Sequence, residues 1–449
     1  MNPSLLLPAA TIATCVTTCT SLMKRHMLIT AALFTSLLLA QAQVKPVAPA
    51  LTVTPDHADA IYQRGETVTF TIQLTPATDA PVSWNISKDG VAPTTSGTAR
   101  LTNGTARISG KLDEPGFLLC RVGYAGDAKS NLVALAGAAI DPLQIKPSMS
   151  VPADFDAFWA AEKKKLALVP MNPRLTPQAS PLEGVEAFDL QADAIGRPVS
   201  GYFARPIGAK SKSLPIILTV HGAGVVSSSL SGASSWAEKG FLALDMNAHG
   251  IQNGQPKQFY TDLANGALKD YRARGRESRD TIYFHDMFLR LVRALDFLTA
   301  QPEWDGSTIV VHGSSQGGYQ SIVAAGLDPR VTFFAAGVPA GCDHTGFKAG
   351  RINGWPKFIP TGEAPAPGVI EAVRYYDAVN FATRTKAGGI ITVGFIDTTC
   401  PPSSIYAAFN ALGGKREIFN SVRTGHVGAA PTTEAMRKAI FAHVQAMKR

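Results

Sequence analysis

Charge is sparse in this sequence. Asp, Glu, Lys and Arg make up 17% of its 449 residues, against 45% apolar residues, where a soluble protein usually carries about a quarter charged. Such a composition fits a globular protein with a large core and argues against a disordered chain. The formal excess of +8 is spread thinly. Its one run, Lys163-Lys164-Lys165, falls on an expected helix face and reads as solvated surface. Basic patches interleaved with aromatics are missing, so nucleic acid is not an expected partner. Zinc-type ligand spacing, a phosphate-binding glycine loop and a dinucleotide fingerprint are missing too, and no metal or cofactor is expected. Beyond the N-terminal region no apolar run is long enough to span a bilayer.

Cysteine is also scarce, with five residues in all. The N-terminus has the form of a targeting segment. Met23-Lys24-Arg25 is a basic start, Leu28 to Leu39 an apolar core, and Ala40-Gln41-Ala42 a small-x-small cleavage pattern. Residues 1–22 then read as an extension upstream of the true start at Met23, and 23–42 as a signal peptide. Cleavage near Ala42 would export the chain to the periplasm or beyond. The mature chain would keep Cys120, Cys342 and Cys400, an odd number. Cys342 and Cys400 follow consecutive expected strands, which makes them candidates to pair.

From 43 to 147 the pattern is all β. Glu66 to Leu74 alternates polar and apolar residues, Val82 to Ile86 and Ala99 to Ser109 behave similarly, and Phe117 to Tyr124 reads as another strand. Turn signals at Asp89-Gly90, Asn103-Gly104 and Pro115-Gly116 separate them. Short strands at this spacing predict an immunoglobulin-like sandwich. Trp84, Tyr62 and Tyr124 are candidate sugar platforms there, although an aromatic such as Trp84 is more often core.

Residues 148–449 predict a doubly wound, mostly parallel sheet. A helix with Phe155, Phe158, Trp159 and Leu166 on one face opens the segment, and a hairpin follows, turning at Gly196-Arg197-Pro198. Apolar runs at 214–220, 241–245, 308–312, 332–337, 389–395 and 416–420 then alternate with helical patterns at 283–299, 403–412 and 432–447. That alternation is the mark of right-handed crossovers in an α/β-hydrolase-type sheet. The stretch from Cys342 to Val369, rich in Gly and Pro, reads as a wall or cap over a site.

The most informative motif is Gly313-Ser314-Ser315-Gln316-Gly317, between an apolar strand and a helix. In that setting Gly-x-Ser-x-Gly forms a nucleophile elbow, with Ser315 lifted off the sheet. An acid and then a histidine should follow. Asp397 directly follows the apolar run Gly389 to Phe395 and is the candidate acid; Asp343 and Asp377 lack so clear a preceding strand. His426 lies in the Gly-flanked loop Arg423 to Gly428, whereas His443 sits in an amphipathic helix and His344 precedes the acid. Oxyanion donors are expected from the backbone N–H of Gln316 and that of Ala223, in His221-Gly222-Ala223-Gly224 after an earlier strand.

These residues also carry a resemblance. From Pro152 to the C-terminus the chain resembles the acetyl xylan esterases and cephalosporin C deacetylases of carbohydrate esterase family seven. The likeness rests on Pro152-Ala153-Asp154-Phe155-Asp156-Ala157-Phe158-Trp159, on His221-Gly222, on Gly313-Ser314-Ser315-Gln316-Gly317-Gly318, and on Asp397-Thr398-Thr399-Cys400-Pro401-Pro402-Ser403. It implies an esterase removing small acyl groups, chiefly acetyl, from carbohydrates, and it leaves a homo-oligomer open. Two departures stand out. The family's usual Arg-Gly-Gln is replaced by Asn247-Ala248-His249-Gly250-Ile251-Gln252, and Val427 follows His426 where the family has Glu. Both bear on how the loops at the site are braced; His249 itself reads as a turn residue. A peptidase on the same scaffold and a non-catalytic carbohydrate-binding protein are the competing readings. About a hundred residues are too few for the propeller that usually gates such peptidases.

Overall fold

The strongest β signal upstream of residue 148 is the alternation in Val68–Thr75, and there the side chains of Val68, Phe70, Ile72 and Leu74 all point into a core. A computed structural model describes residues 48–126, 131–360, 362–366 and 368–448. The expected signal peptide and the extension before it lie outside the described residues. Strands β1 (Ala50–Pro55), β3 (Val68–Thr75) and β6 (Thr105–Gly110) form one sheet. Strands β2 (Ile61–Tyr62), β8 (Asn131–Ile140), β7 (Gly116–Ala125), β4 (Pro81–Lys88) and β5 (Pro93–Arg100) form a second, in that order. Asp89-Gly90 and Asn103-Gly104 each place two consecutive residues at positive φ, the conformation that tight hairpin turns demand. Strand β8 escapes sequence reading because its Ala and Gly residues are weak strand formers. Of the aromatics singled out, Tyr62 is buried with its hydroxyl on Asp56, and Trp84 and Tyr124 are partly buried against the core.

The larger sheet runs β17 (Arg416–Ser421), β16 (Gly388–Gly394), β15 (Phe333–Gly337), β14 (Trp304–Ser314), β12 (Leu214–Val220), β13 (Leu242–Met246), β11 (Val199–Pro206), β10 (Val185–Ala192) and β9 (Arg174–Gln178). Strands β12 to β17 pair in parallel; β9, β10 and β11 add an antiparallel flank. Both faces of the parallel part are covered, which is why its strands read as unbroken apolar runs. Ile216, Leu218, Leu244, Val311 and Phe334 pack into the core that includes helices Phe284–Thr299, Gln316–Leu327 and Pro402–Ala411. Their alternates Ile217, Ala243, Val310, Ala335 and Ile390 face helices Leu230–Glu238 and Ala430–Met447. The chain reverses its direction of growth between β12 and β14, and a crevice opens at the carboxyl ends of strands at such a switch.

His443 is half-buried on the last helix: its ring stacks on Phe333 with centroids 4.8 Å apart, and its Nε2 lies 2.9 Å from the Thr332 hydroxyl. One expectation needs correction. Cys342 and Cys400 do not pair. Both are buried free thiols, as is Cys120, and the Cys342 sulfur lies 3.5 Å from the Ala340 carbonyl.

Candidate active site

Strand β14 ends at Ser314 and a helix begins at Gln316, leaving Ser315 alone in the turn. Its backbone sits at φ 57°, ψ −119°, a region that a residue with a β-carbon adopts only when its surroundings enforce it. Here the enforcement is backbone contact. The Ser315 N–H donates to the Gly337 carbonyl at 2.8 Å, tying the turn to β15. A β-carbon on Gly313 would lie 2.5 Å from the Val220 carbonyl oxygen, and one on Gly317 would lie 2.1 Å from it. Only glycine permits that approach.

Asp397 and His426 come from the loops after β16 and β17. Ser315 Oγ lies 2.8 Å from His426 Nε2, and His426 Nδ1 lies 2.8 Å from Asp397 Oδ2. The carboxylate can only accept, so Nδ1 carries the proton and Nε2 is left to accept from the serine hydroxyl. The Asp397 carboxyl is fully buried, while the imidazole keeps 24% exposure toward the crevice. The other carboxylate oxygen of Asp397 accepts the N–H groups of Thr399 (2.8 Å) and Cys400 (2.9 Å). The acid loop and the histidine loop are joined directly, Ile396 N–H to the Thr424 carbonyl at 3.3 Å.

The loop after β12 closes the other side. A β-carbon on Gly222 would stand 3.8 Å from that of Ser315, and the exposed Ala223 comes next. Gln316 opens the helix, so its N–H is among the four that lack an acceptor within it. Two histidines hold the loop in shape. His221 Nε2 accepts the Ala248 N–H at 3.0 Å, so its Nδ1 is the protonated nitrogen facing the Gly222 carbonyl at 2.7 Å. His249 lies in the turn that the sequence suggests, and its side chain is fully buried there. Burial, reinforced by the neighbouring His221, depresses it to about 3, and burial also lowers His221. A neutral His249 must donate from Nε2 to the Gly224 carbonyl (3.1 Å) and accept at Nδ1 from the Tyr283 hydroxyl (2.9 Å). Tyr271 lies edge-on to His249 with centroids 4.5 Å apart, and its hydroxyl donates to the Gln316 side chain at 2.7 Å. Sequence reading missed Tyr271 and Tyr283, since nothing local marks a tyrosine that supports a loop remote in sequence.

The competing residues lie elsewhere. Asp377 accepts the N–H groups of Asp343 (2.8 Å), His344 (2.7 Å) and Val379 (3.0 Å); burial and the adjacent Asp343 push it up to about 7. Asp343 pairs with Arg351 at 3.2 Å, and His344 is buried against Tyr319. Asp343, His344 and Arg351 belong to the wall that begins at Cys342, and Asp377, which caps helix Ala378–Ala382, ties that wall down. That wall meets the acid loop through the Trp355 N–H, which donates to the Thr399 carbonyl at 2.9 Å.

Comparison with known proteins agrees with this architecture. The acetyl xylan esterase (AXE1) family matches residues 139–435. An acetyl esterase of Xylanibacter ruminicola, Axe7A, is 33% identical over 379 residues, 81% of this chain and 83% of that protein. The chain belongs to the acetyl xylan esterase family. Among solved structures, an acetyl xylan esterase from Paenibacillus sp. R4 superposes with a TM-score of 0.59 at 29% identity, over 67% of this chain and 98% of that one. Acetyl xylan esterase 1 from Thermoanaerobacterium superposes at 0.56 and 21% identity, over 67% and 97%, and shares the α/β-hydrolase-like fold. As a member of this family the chain is a carboxylic ester hydrolase, of the acetyl esterase kind. Among the described residues, no helix is long and apolar enough to cross a membrane.

Proposed function

We propose that this esterase removes acetyl groups from carbohydrates such as acetylated xylan or xylo-oligosaccharides, with Ser315, His426 and Asp397 as its catalytic triad. The observation that carries the reading is the unbroken hydrogen-bonded line from Ser315 Oγ through His426 to Asp397. Ser315 Oγ attacks the acetyl carbonyl carbon as His426 Nε2 takes its proton, and Asp397 holds the imidazole in the required tautomer. The N–H groups of Gln316 and Ala223 receive the oxyanion. Collapse expels the sugar oxygen, which takes the proton from His426. Water then hydrolyses the acetyl-enzyme by the same steps in reverse. We further read the two N-terminal sheets as an immunoglobulin-like sandwich, and the chain as exported after cleavage near Ala42.

The test is hydrolysis of nitrophenyl acetate, butyrate and octanoate by the mature chain and by Ser315→Ala. Acetate turnover should fall at least roughly 10³-fold in the variant and decline steeply with acyl length in the parent. Equal rates in the two proteins would remove Ser315 from the mechanism. Acetylated xylo-oligosaccharides releasing no acetate would move the substrate elsewhere.

A further inference from the structure

The five-stranded N-terminal sheet is covered on both faces, and each face has a different partner. Adjacent residues of a strand point to opposite sides, and directly paired residues of β7 and β8 share a side. Leu118 points toward the three-stranded sheet, where its Cδ1 would meet a β-carbon on Gly110 at 3.5 Å. Phe117, paired with Ala139, and Leu119, paired with Gly137, therefore face the other way. That face rests on the esterase domain. The Phe117 ring meets Phe395 edge-to-face with centroids 5.1 Å apart, and it lies 5.6 Å from Tyr406. At Gly137 a β-carbon would come within 2.2 Å of the Phe395 carbonyl oxygen, so the strand seats directly on the acid loop's backbone. Phe395 is two residues before Asp397.

Phe117 is itself fixed. The Asp89 N–H donates to its carbonyl at 2.7 Å, and its own N–H donates to Asp89 Oδ1 at 2.9 Å. Asp89 also accepts the Ile352 N–H of the wall on its backbone oxygen, at 3.3 Å. A void of about 20 Å³ lies between Asp89, Phe117, Phe395, Asp397 and Pro401, room for one water. The far side of the acid loop is thus packed by residues of the N-terminal sheet.

We propose that Phe117, clamped by Asp89, is a positioning residue of the esterase, and that the N-terminal sheet aims Asp397 at His426 by bearing on Phe395. The inference rests on the triad assigned above. It gives the Phe117 face of the five-stranded sheet a part in positioning Asp397, where a separate sugar-binding unit would have none.

The experiment uses the full mature chain and nitrophenyl acetate, comparing Phe117→Ala, Phe117→Leu and Ile72→Ala at a temperature below every melting point. Ile72 is buried in the three-stranded sheet, so its truncation destabilises the module without touching the acid loop. Phe117→Ala should lower kcat about tenfold, since small misplacements of reacting groups are costly, with KM within about twofold. The acid limb of its pH–kcat profile should move to lower pH, because a misaimed carboxylate stabilises the imidazolium less. Phe117→Leu should fall between it and the parent, and it decides the matter if Phe117→Ala does not fold. Ile72→Ala should melt earlier with kcat and pH limb unchanged. Parent-like kcat and pH limb in the folded Phe117 variants would overturn the proposal, as would the same kcat loss in Ile72→Ala. If Asp397→Asn keeps full activity, the triad itself is wrong, a failure distinct from that of the module's role.

Discussion

The two ends of the Ser315–His426–Asp397 line are held by different means. Ser315 is gripped at close range by its own sheet: β14 leads in, β15 takes its N–H, and the β12 backbone passes where Gly313 and Gly317 have no side chain. Asp397 has a local frame in the Thr399 and Cys400 N–H groups on its Oδ1, but its loop also rests on the histidine loop, the Trp355 wall and the N-terminal sheet, elements tens to hundreds of residues away. The serine end is held within one sheet by its neighbouring strands. The acid end is a convergence of several parts, and its geometry is exposed to change in any of them.

Substitutions at the two ends sharpen that contrast. Asp397→Asn should have the largest effect, about 10⁴-fold in kcat, because an amide stabilises the wrong imidazole tautomer; steady-state kinetics on nitrophenyl acetate with circular dichroism for folding would measure it. A loss under tenfold would mean that the acid end contributes little. Asp89→Asn addresses stability. Burial raises the Asp89 carboxyl to about 6, above its unfolded value near 3.9. The folded chain then holds that proton longer, so this group's contribution to stability falls as pH rises from about 4 to about 6 and is flat above. Asparagine keeps the acceptor for the Phe117 N–H and cannot ionise. The variant should therefore gain on the parent by about 3 kcal/mol across that window, read from urea midpoints at pH 4 and 7; a constant gap would mean that Asp89 carries no such shift. The smallest effect is expected at the loop after β12. Tyr283→Phe removes the donor to His249 Nδ1 and should lower kcat about tenfold with KM unchanged, the scale of one buried hydrogen bond. A rise in KM alone would place Tyr283 in substrate binding instead.

The same contrast explains what could be read from residues alone. The elbow is written in five consecutive residues, and chain order pointed to Asp397 and His426, so the three residues that lie in one hydrogen-bonded line could be picked out without coordinates. The parallel strands were legible because full burial makes them apolar throughout. Strand β8 was hidden by small residues chosen for close approach to Phe395, and β9, exposed along most of its length, carries no apolar signal. His249 reads as a turn residue and is one, but its burial against Tyr271 and Tyr283 is a tertiary fact that its neighbours in sequence do not carry.

The three cysteines among the described residues have a use that follows from their places. Burial pushes Cys120 up to about 12 and holds Cys342 and Cys400 well above the ordinary thiol value, so each is protonated and inert while its region stays closed. Cys120 lies in the N-terminal sheet, Cys342 at the start of the wall, and Cys400 donates its N–H to Asp397. Alkylation of each thiol therefore times the opening of a different part of the molecule, and the label on Cys400 records when the acid loop lets go.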